Sequence, residues 1–406
     1  MKHAALLVVS LSITASASAL TPYLSPPSTI LPPYPAPGVV EGRPLVSTLD
    51  IHGQLVVGWV EQQGGRDHVL VSAVTADGTV DRQHPADLTE TVGTPFQTAS
   101  APALAYDGQE VLAAFTAATG KSVTLYTTRL DRNLYSLDSQ PVTLAVADDA
   151  TPLLPPTATW NGNDFLVAWG SMVTAVHSNG SPAGTLLLAA NGVTWTRVVS
   201  AGAGQQTRFV SVDYTAPVPA HCGFSPAFCS KGSPARSFLR ALTLDEHGVF
   251  NSYSSIDVGA LTSLGSLALA TSGSGSLAVL MRDGALQSMK LDARGNVDQP
   301  RLITTLAPGR RGLATVAAGG NEWLAVYEDV PLGEQEPTLF GAFLDADGKL
   351  VAPPVRLTAG AALSPSLIGF RNGVYRLTFA RPTGTTMDVE TMVISSHPQG
   401  RTRTSR

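Results

Sequence analysis

The sequence predicts an all-β protein in which one small sheet is repeated around a ring. A phrase of short apolar runs separated by glycine turns recurs down the chain, clearest in PTATWNGNDFLVAWGSMVTAVHSNG, Pro156 to Gly180. The turn glycines recur at a period near 50, 55 residues from Gly53 to Gly108, 54 to Gly162, and 53 from Gly320 to Gly373, with intervals of 42 and 71 where copy three is trimmed and copy four carries an insertion. Each copy holds four runs of strand length, whereas a solenoid needs shorter units and stacked sandwiches about twice the chain per unit. Four strands at a period near 50 define a β-propeller. Seven sets of first to third strands can be counted from Leu45 to Ile394, which predicts seven four-stranded blades.

Composition agrees with that class. Of 406 residues 44% are apolar and 14% charged, with 38 Gly and 29 Pro, as expected for many short turns. The net charge of −5, with no Lys/Arg cluster, excludes binding to nucleic acid by phosphate neutralisation.

The chain begins with an export signal over 1–19. Lys2 and His3 are the polar start, Ala4 to Ile13 the apolar region, and Ala17-Ser18-Ala19 the cleavage site. That apolar region is too short to span a bilayer, and no later stretch is long enough. No Cys follows the site to carry a lipid. A secreted or periplasmic location and no transmembrane segment are expected.

Residues 20–43 are proline-rich. They read as a linker, although Thr29-Ile30-Leu31 and Val39-Val40 suit an edge strand, where proline is tolerated. Residues 44–394 hold the repeats, and 395–406 form a disordered tail. The last copy, ending DVETMVI, lacks a fourth strand. The proline-rich segment is the simplest source of it, closing the ring and covering two sheet edges.

First runs end at Gly53, Gly108, Gly162, Gly204, Gly275, Gly320 and Gly373. Second runs follow, five of them with an aromatic near the end: Trp59, Phe115, Trp169, Tyr327 and Phe379. RFVSVDY and SLAVLM are looser copies. Most third runs close on Asp followed by Gly within three residues, as in Leu344-Asp345-Ala346-Asp347-Gly348, which is turn chemistry. Cys222 and Cys229 in HCGFSPAFC lie in an insertion of copy four. In an exported protein they read as one local disulfide. Two thiolates with the adjacent His221 do not complete a zinc site, and the spacing excludes a CxxC motif.

Unit size and strand count resemble kelch and WD-repeat propellers, without the signatures of either. Tyr106-Asp107-Gly108, Leu166-Val167-Ala168-Trp169 and the Leu344 to Gly348 turn resemble secreted bacterial propeller repeats instead. That resemblance covers nearly all of 44–394, implies architecture, and names no enzyme family.

Catalytic signals are sparse. The recurring aromatics are expected to fill the wedges between blades rather than to bind sugar. Asp345 and Asp347 alone do not make a calcium loop. Ala190-Asn191-Gly192-Val193-Thr194-Trp195 lacks the Ser and Asp of a sialidase Asp-box, and Gly120-Lys121-Ser122 lacks the first glycine of a phosphate loop. There is no Gly-x-Ser-x-Gly elbow and no His-Glu-x-x-His motif. No metal and no cofactor are expected.

Strand order places the short glycine turns on one face and the variable second-to-third connections on the other: Glu61 to Asp67, Ala216 to Arg236, Glu328 to Pro337 and Arg381 to Thr386. Binding residues concentrate on such loops. The candidates are Glu61, Asp67, Glu328, Asp329, Glu334 and Glu336, of which Glu328, Asp329, Glu334 and Glu336 are expected to be exposed and cheap to replace. The leading expectation is a secreted, monomeric, non-enzymatic propeller binding a protein or a surface glycan. A polysaccharide hydrolase or lyase and a structural envelope component are the alternatives. Two carboxylates about 5–9.5 Å apart at the central opening would favour the hydrolase.

Overall fold

The computed structural model describes residues 21–397 apart from short internal stretches, of which 188–194 is the longest. The export signal, the Val39-Val40 pair, Ala190 to Thr194 and the tail beyond 397 lie outside the described residues.

Seven antiparallel sheets stand in a ring, and the protein is a seven-bladed β-propeller. The first strand of each blade adjoins the first strand of the next. Leu363–Phe370 of blade 7 meets Val46–Ile51 of blade 1, which completes the circle. Six blades use consecutive stretches of chain. Blade 7 takes Leu363–Phe370, Val374–Thr383 and Thr386–Ser395 from the end, and its outer strand, Ser28–Pro35, from the beginning. Tyr23–Leu24 continues along the same edge. The expected closure is present.

That closing strand reads its partner with two slips. Ser28 faces Thr391, Leu31 faces Val389 and Tyr34 faces Met387, with register shifts between Thr29 and Leu31 and between Leu31 and Tyr34. Pro32 and Pro33 fall in the second slip; having no N–H to donate, they suit an outer edge. Ile30, Leu31 and Tyr34 hold the strand down, buried in one cluster with Trp59 and Met387.

The molecule has no central core. Its apolar side chains form seven clusters, one between each pair of neighbouring blades. The second strands explain why. They are buried on both faces, so they read as unbroken apolar runs such as FLVAW over Phe165–Trp169. Alternate residues face opposite neighbours, and the large ones face the preceding blade. Phe115 packs with Ile51 and Val69 of blade 1, Trp169 with Leu112 and Leu125 of blade 2, and Phe379 with Leu324 and Val326 of blade 6. Tyr327 does the same against Leu277 and Val279 of blade 5. In the two looser copies Phe209 fills the wedge to blade 3, and Ala278 with Leu280 fills the wedge between blades 4 and 5. Packing is therefore the role of the recurring aromatics.

The Asp turns are equally regular. In Asp131, Asp245, Asp292 and Asp345 the same carboxylate oxygen accepts the N–H of the residues two and four further on, at 2.8–2.9 Å. In the turns of Asp292 and Asp345 the residue three further on takes a positive φ, 82° at Gly295 and 74° at Gly348. Leu134 takes it in blade 2, at 65°, with its side chain buried. The recurring Asp is thus a turn acceptor, and no group of three or more metal-ligating side chains occurs among the described residues.

Removing Tyr23 to Pro35 should leave two open edges and strip the cover from the wedge around Trp59. Early thermal unfolding or aggregation is expected by calorimetry and size exclusion; a truncated chain as stable and monomeric as its parent would contradict this. Gly369→Ala tests the ring at its tightest contact. A Cβ there would lie 2.1 Å from the Ala318 carbonyl oxygen, a backbone atom, so a loss of about 3 kcal/mol is expected in denaturant unfolding.

Candidate binding face

The second-to-third connections open on one face, together with the links between blades. Most are two-residue turns, such as Gly64-Gly65 between Gln63 and Arg66 and Gly384-Thr385 between Thr383 and Thr386. Two are longer. That of blade 4, over 216–235, holds a small hairpin of His221–Cys222 and Cys229–Ser230. That of blade 6 runs from Val330 to Pro337.

Four of the six acids placed on the loops of this face are not exposed loop residues: Glu61, Asp67 and Glu328 are buried in strands, and Asp329, half-buried, is the last residue of the strand Trp323–Asp329. Glu61 and Asp67 lie within the second and third strands of blade 1, Gln54–Gln63 and Arg66–Ala73, and both are buried. The hairpin turn between them is only two residues long, so the strands extend through both positions. Trp59 Nε1 donates to Glu61 Oε2 at 3.3 Å, and Gln63 Nε2 donates to its other oxygen at 3.4 Å. Asp67 Oδ2 accepts from Arg43 Nη1 at 2.8 Å and from the Ala99 N–H at 3.0 Å, while Arg43 also donates to the Ala99 carbonyl. One ion pair thus ties the entry segment and blade 1 to blade 2. Burial pushes the Arg43 guanidinium below the ordinary arginine range, against the opposing pull of Asp67.

Glu328 is buried as well, at the end of the second strand of blade 6, Trp323–Asp329. Its carboxylate accepts the Leu313 N–H at 3.0 Å and the Ser364 N–H at 2.6 Å, bridging blades 6 and 7. Ser364, at a φ of 55°, passes the bridge on, its hydroxyl accepting the N–H groups of Leu45 and Val46 in blade 1. In blade 5 the Ser266 hydroxyl accepts the Ala314 N–H of blade 6 at 3.0 Å. Side chains of this face therefore satisfy backbone groups where the first strands begin.

The central opening inside this belt is a cavity of about 170 Å³ lined by Val46, Thr157, Val198, Leu267, Leu313 and Ser366 among others. Its described lining is apolar or hydroxylic and holds no carboxylate. The paired acids of a glycosidase are not gathered there.

Asp329, Glu334 and Glu336 stand apart. Asp329 Oδ1 caps the Val330 N–H at 2.9 Å. Burial, reinforced by Asp329, holds the neighbouring Tyr327 phenol far above its ordinary range. Glu334 is exposed and takes a two-pronged ion pair from Arg356, at 2.7 and 2.9 Å. Glu336 is exposed and has no ion partner among the described residues.

Arg43, Ser266 and Ser364 escaped the sequence reading. Arg43 alone gave a sign, as one of two charges in an otherwise uncharged proline-rich segment. The serines gave none, because their partners are backbone groups of the next blade. In blade 4 the register sets Cys222 opposite Cys229; their side chains lie outside the described residues.

Glu328→Ala should leave two buried N–H groups without an acceptor and cost about 2–4 kcal/mol. Glu336→Ser should cost less than ~0.5 kcal/mol, and Trp169→Ala about 3–5 kcal/mol. Urea unfolding of the three variants checks the ranking. A benign Glu328→Ala would break the proposed bridge between blades 6 and 7.

Comparison with known proteins agrees on fold. No family model matches the chain, and no curated protein does. Among solved structures, a protein of unknown function from Dyadobacter fermentans superposes at a TM-score of 0.52 with 11% identity, covering 92% of this chain and 99% of its own. A polysaccharide lyase, an ulvan lyase of family PL25, superposes at 0.50 with 9% identity, covering 89% and 94%. A Trypanosoma rangeli sialidase gives 0.46 with 10% identity, over 92% and 60%. At these identities the likeness is one of fold, and it leaves activity open.

Proposed function

We propose that the protein is an exported, non-catalytic propeller that binds a protein or a surface glycan through its variable-loop face, in the periplasm or outside the cell. The observation that carries this reading is the use made of the acids. Glu61, Asp67 and Glu328, three of the acids the sequence offered as binding residues, are held by Trp, Gln, Arg and backbone donors within the frame. On the same face the long loop of blade 6 offers solvent a charged stretch, exposed from Leu332 to Glu336. No helix among the described residues is long and apolar enough to cross a membrane.

Export also implies that Cys222 and Cys229 are joined. Opposed residues of an antiparallel pair have Cα atoms about 4.5–5.5 Å apart, within the span a disulfide needs. Thiol titration of the unfolded, unreduced mature protein should find none free. Two titratable thiols would refute the bond.

The binding reading is tested with the mature chain on a glycan array, and with a panel of polysaccharides, ulvan included, assayed for new reducing ends and unsaturated uronates. No turnover is expected. Turnover that disappears on substituting an acid of the loop face would replace binding with catalysis.

A further inference from the structure

The blade 6 loop is built to present one side chain. Pro331 to Glu334 is a β-turn closed by the Glu334 N–H on the Pro331 carbonyl at 2.9 Å, with Gly333 at a φ of 90°. Gly in that third position marks a type II turn, and any other residue would strain it. Leu332 occupies the second position and is 106% exposed, the most exposed of the large apolar side chains described.

Around it the loop is braced on both sides. Val330 is buried beneath it. Arg356 grips Glu334 with two hydrogen bonds and donates through Nε to the Thr358 carbonyl. The Ala362 N–H donates to the Pro337 carbonyl at 2.9 Å. Arg381 of blade 7 donates to the carbonyls of Ala359 and Ala361 and is itself fixed by Glu390. A leucine on a floppy loop would lose conformational freedom on binding, and one on a fixed turn loses little. A lone exposed apolar residue is ordinary; here it is the geometry beneath it that is unusual.

Charge defines the surroundings. Arg356 neutralises Glu334. Glu336, two residues on, is exposed and has no ion partner among the described residues, and Asp329 stands at the loop base. The loop tip is therefore apolar, with the exposed acid Glu336 on its flank.

We propose that this turn is a preformed docking knob, with Leu332 seated in an apolar pocket of a protein partner whose rim carries a Lys or Arg opposite Glu336. The proposal rests on the binding reading of this face and narrows its partner to a protein. A sugar surface is not expected to favour a convex aliphatic tip, whereas an apolar pocket with a basic rim is complementary to both features.

The test places a photoreactive amino acid at position 332, at 385 on the same face, or at 351 on the opposite face of the full mature chain. The chains are irradiated in the cells that make them, and adducts are mapped by mass spectrometry. Adducts from 332 to an apolar protein segment flanked by Lys or Arg are expected. Adducts from 385 but none from 332 would overturn the knob and leave the binding face standing. Adducts from 351 alone, or from none of the three, would overturn both. Attachment from 332 to carbohydrate or to an acidic segment would overturn the proposed chemistry. With the mapped partner purified, Leu332→Asp should weaken affinity at least tenfold without moving the melting temperature. Glu336→Lys should weaken it severalfold and flatten its dependence on salt. Unchanged affinity in both variants would refute the knob.

Discussion

Everything in this protein depends on filling the wedges between neighbouring blades. A twisted four-stranded sheet cannot bury itself, and a ring of them has no common centre to bury against. Burial must therefore be supplied seven times over, by side chains that reach sideways. The second strand of each blade does this in both directions at once, with its larger residues aimed at the preceding blade and its smaller ones at the next except in blade 5, where Leu277, Val279 and Met281 face forward. The asymmetry sets how far each sheet is rotated from its neighbour, because a ring on one side meets alanine, valine or leucine on the other.

The second constraint is polar. Where the first strands converge on the loop face, their leading N–H groups have no partner in their own sheet. Glu328, Ser364, Ser266 and Asp67 meet that need across blade boundaries. This explains why a propeller face rich in carboxylates is not by that fact an active site. An acid that accepts two buried backbone donors is held as an acceptor and is poorly placed to exchange a proton with a substrate. The same arrangement frees the rim to carry loops of any length, since the frame beneath does not rely on them.

The architecture was legible because its signals are local and repeated. Glycine turns at a period near 50, unbroken apolar runs and Asp turns each reflect one backbone geometry used in every blade, so an imperfect copy such as SLAVLM does not hide the pattern. The role of Trp59 or Phe379 was legible for the same reason. The site was legible only in part. Glu334 and Glu336 stood out through Gly and Pro around them, which force a loop. Glu61 and Asp67 were misplaced because a two-residue Gly-Gly turn looks, in sequence, like the centre of a longer loop. Glu328 was misplaced because a carboxylate that satisfies the backbone of another blade carries no mark of it in its own neighbourhood. Contacts across blades are long-range facts, and periodicity is blind to them.

Closing the ring with its own two ends has a consequence for how the molecule comes into being. Ser28 is joined to Thr391 across 363 residues of chain, so a strand synthesised near the start is among the last that can be placed. Until Thr386–Ser395 leaves the ribosome, the nascent chain carries an unpaired proline-rich strand and an open wedge around Trp59. Loop closure over such a distance is slow and comes after the local hairpins have formed. Pro32 and Pro33 gain a second meaning here. A waiting strand that cannot donate a regular ladder of hydrogen bonds is a poor template for the edges of other chains, so the segment stays selective for its own last blade during the interval when it is most exposed.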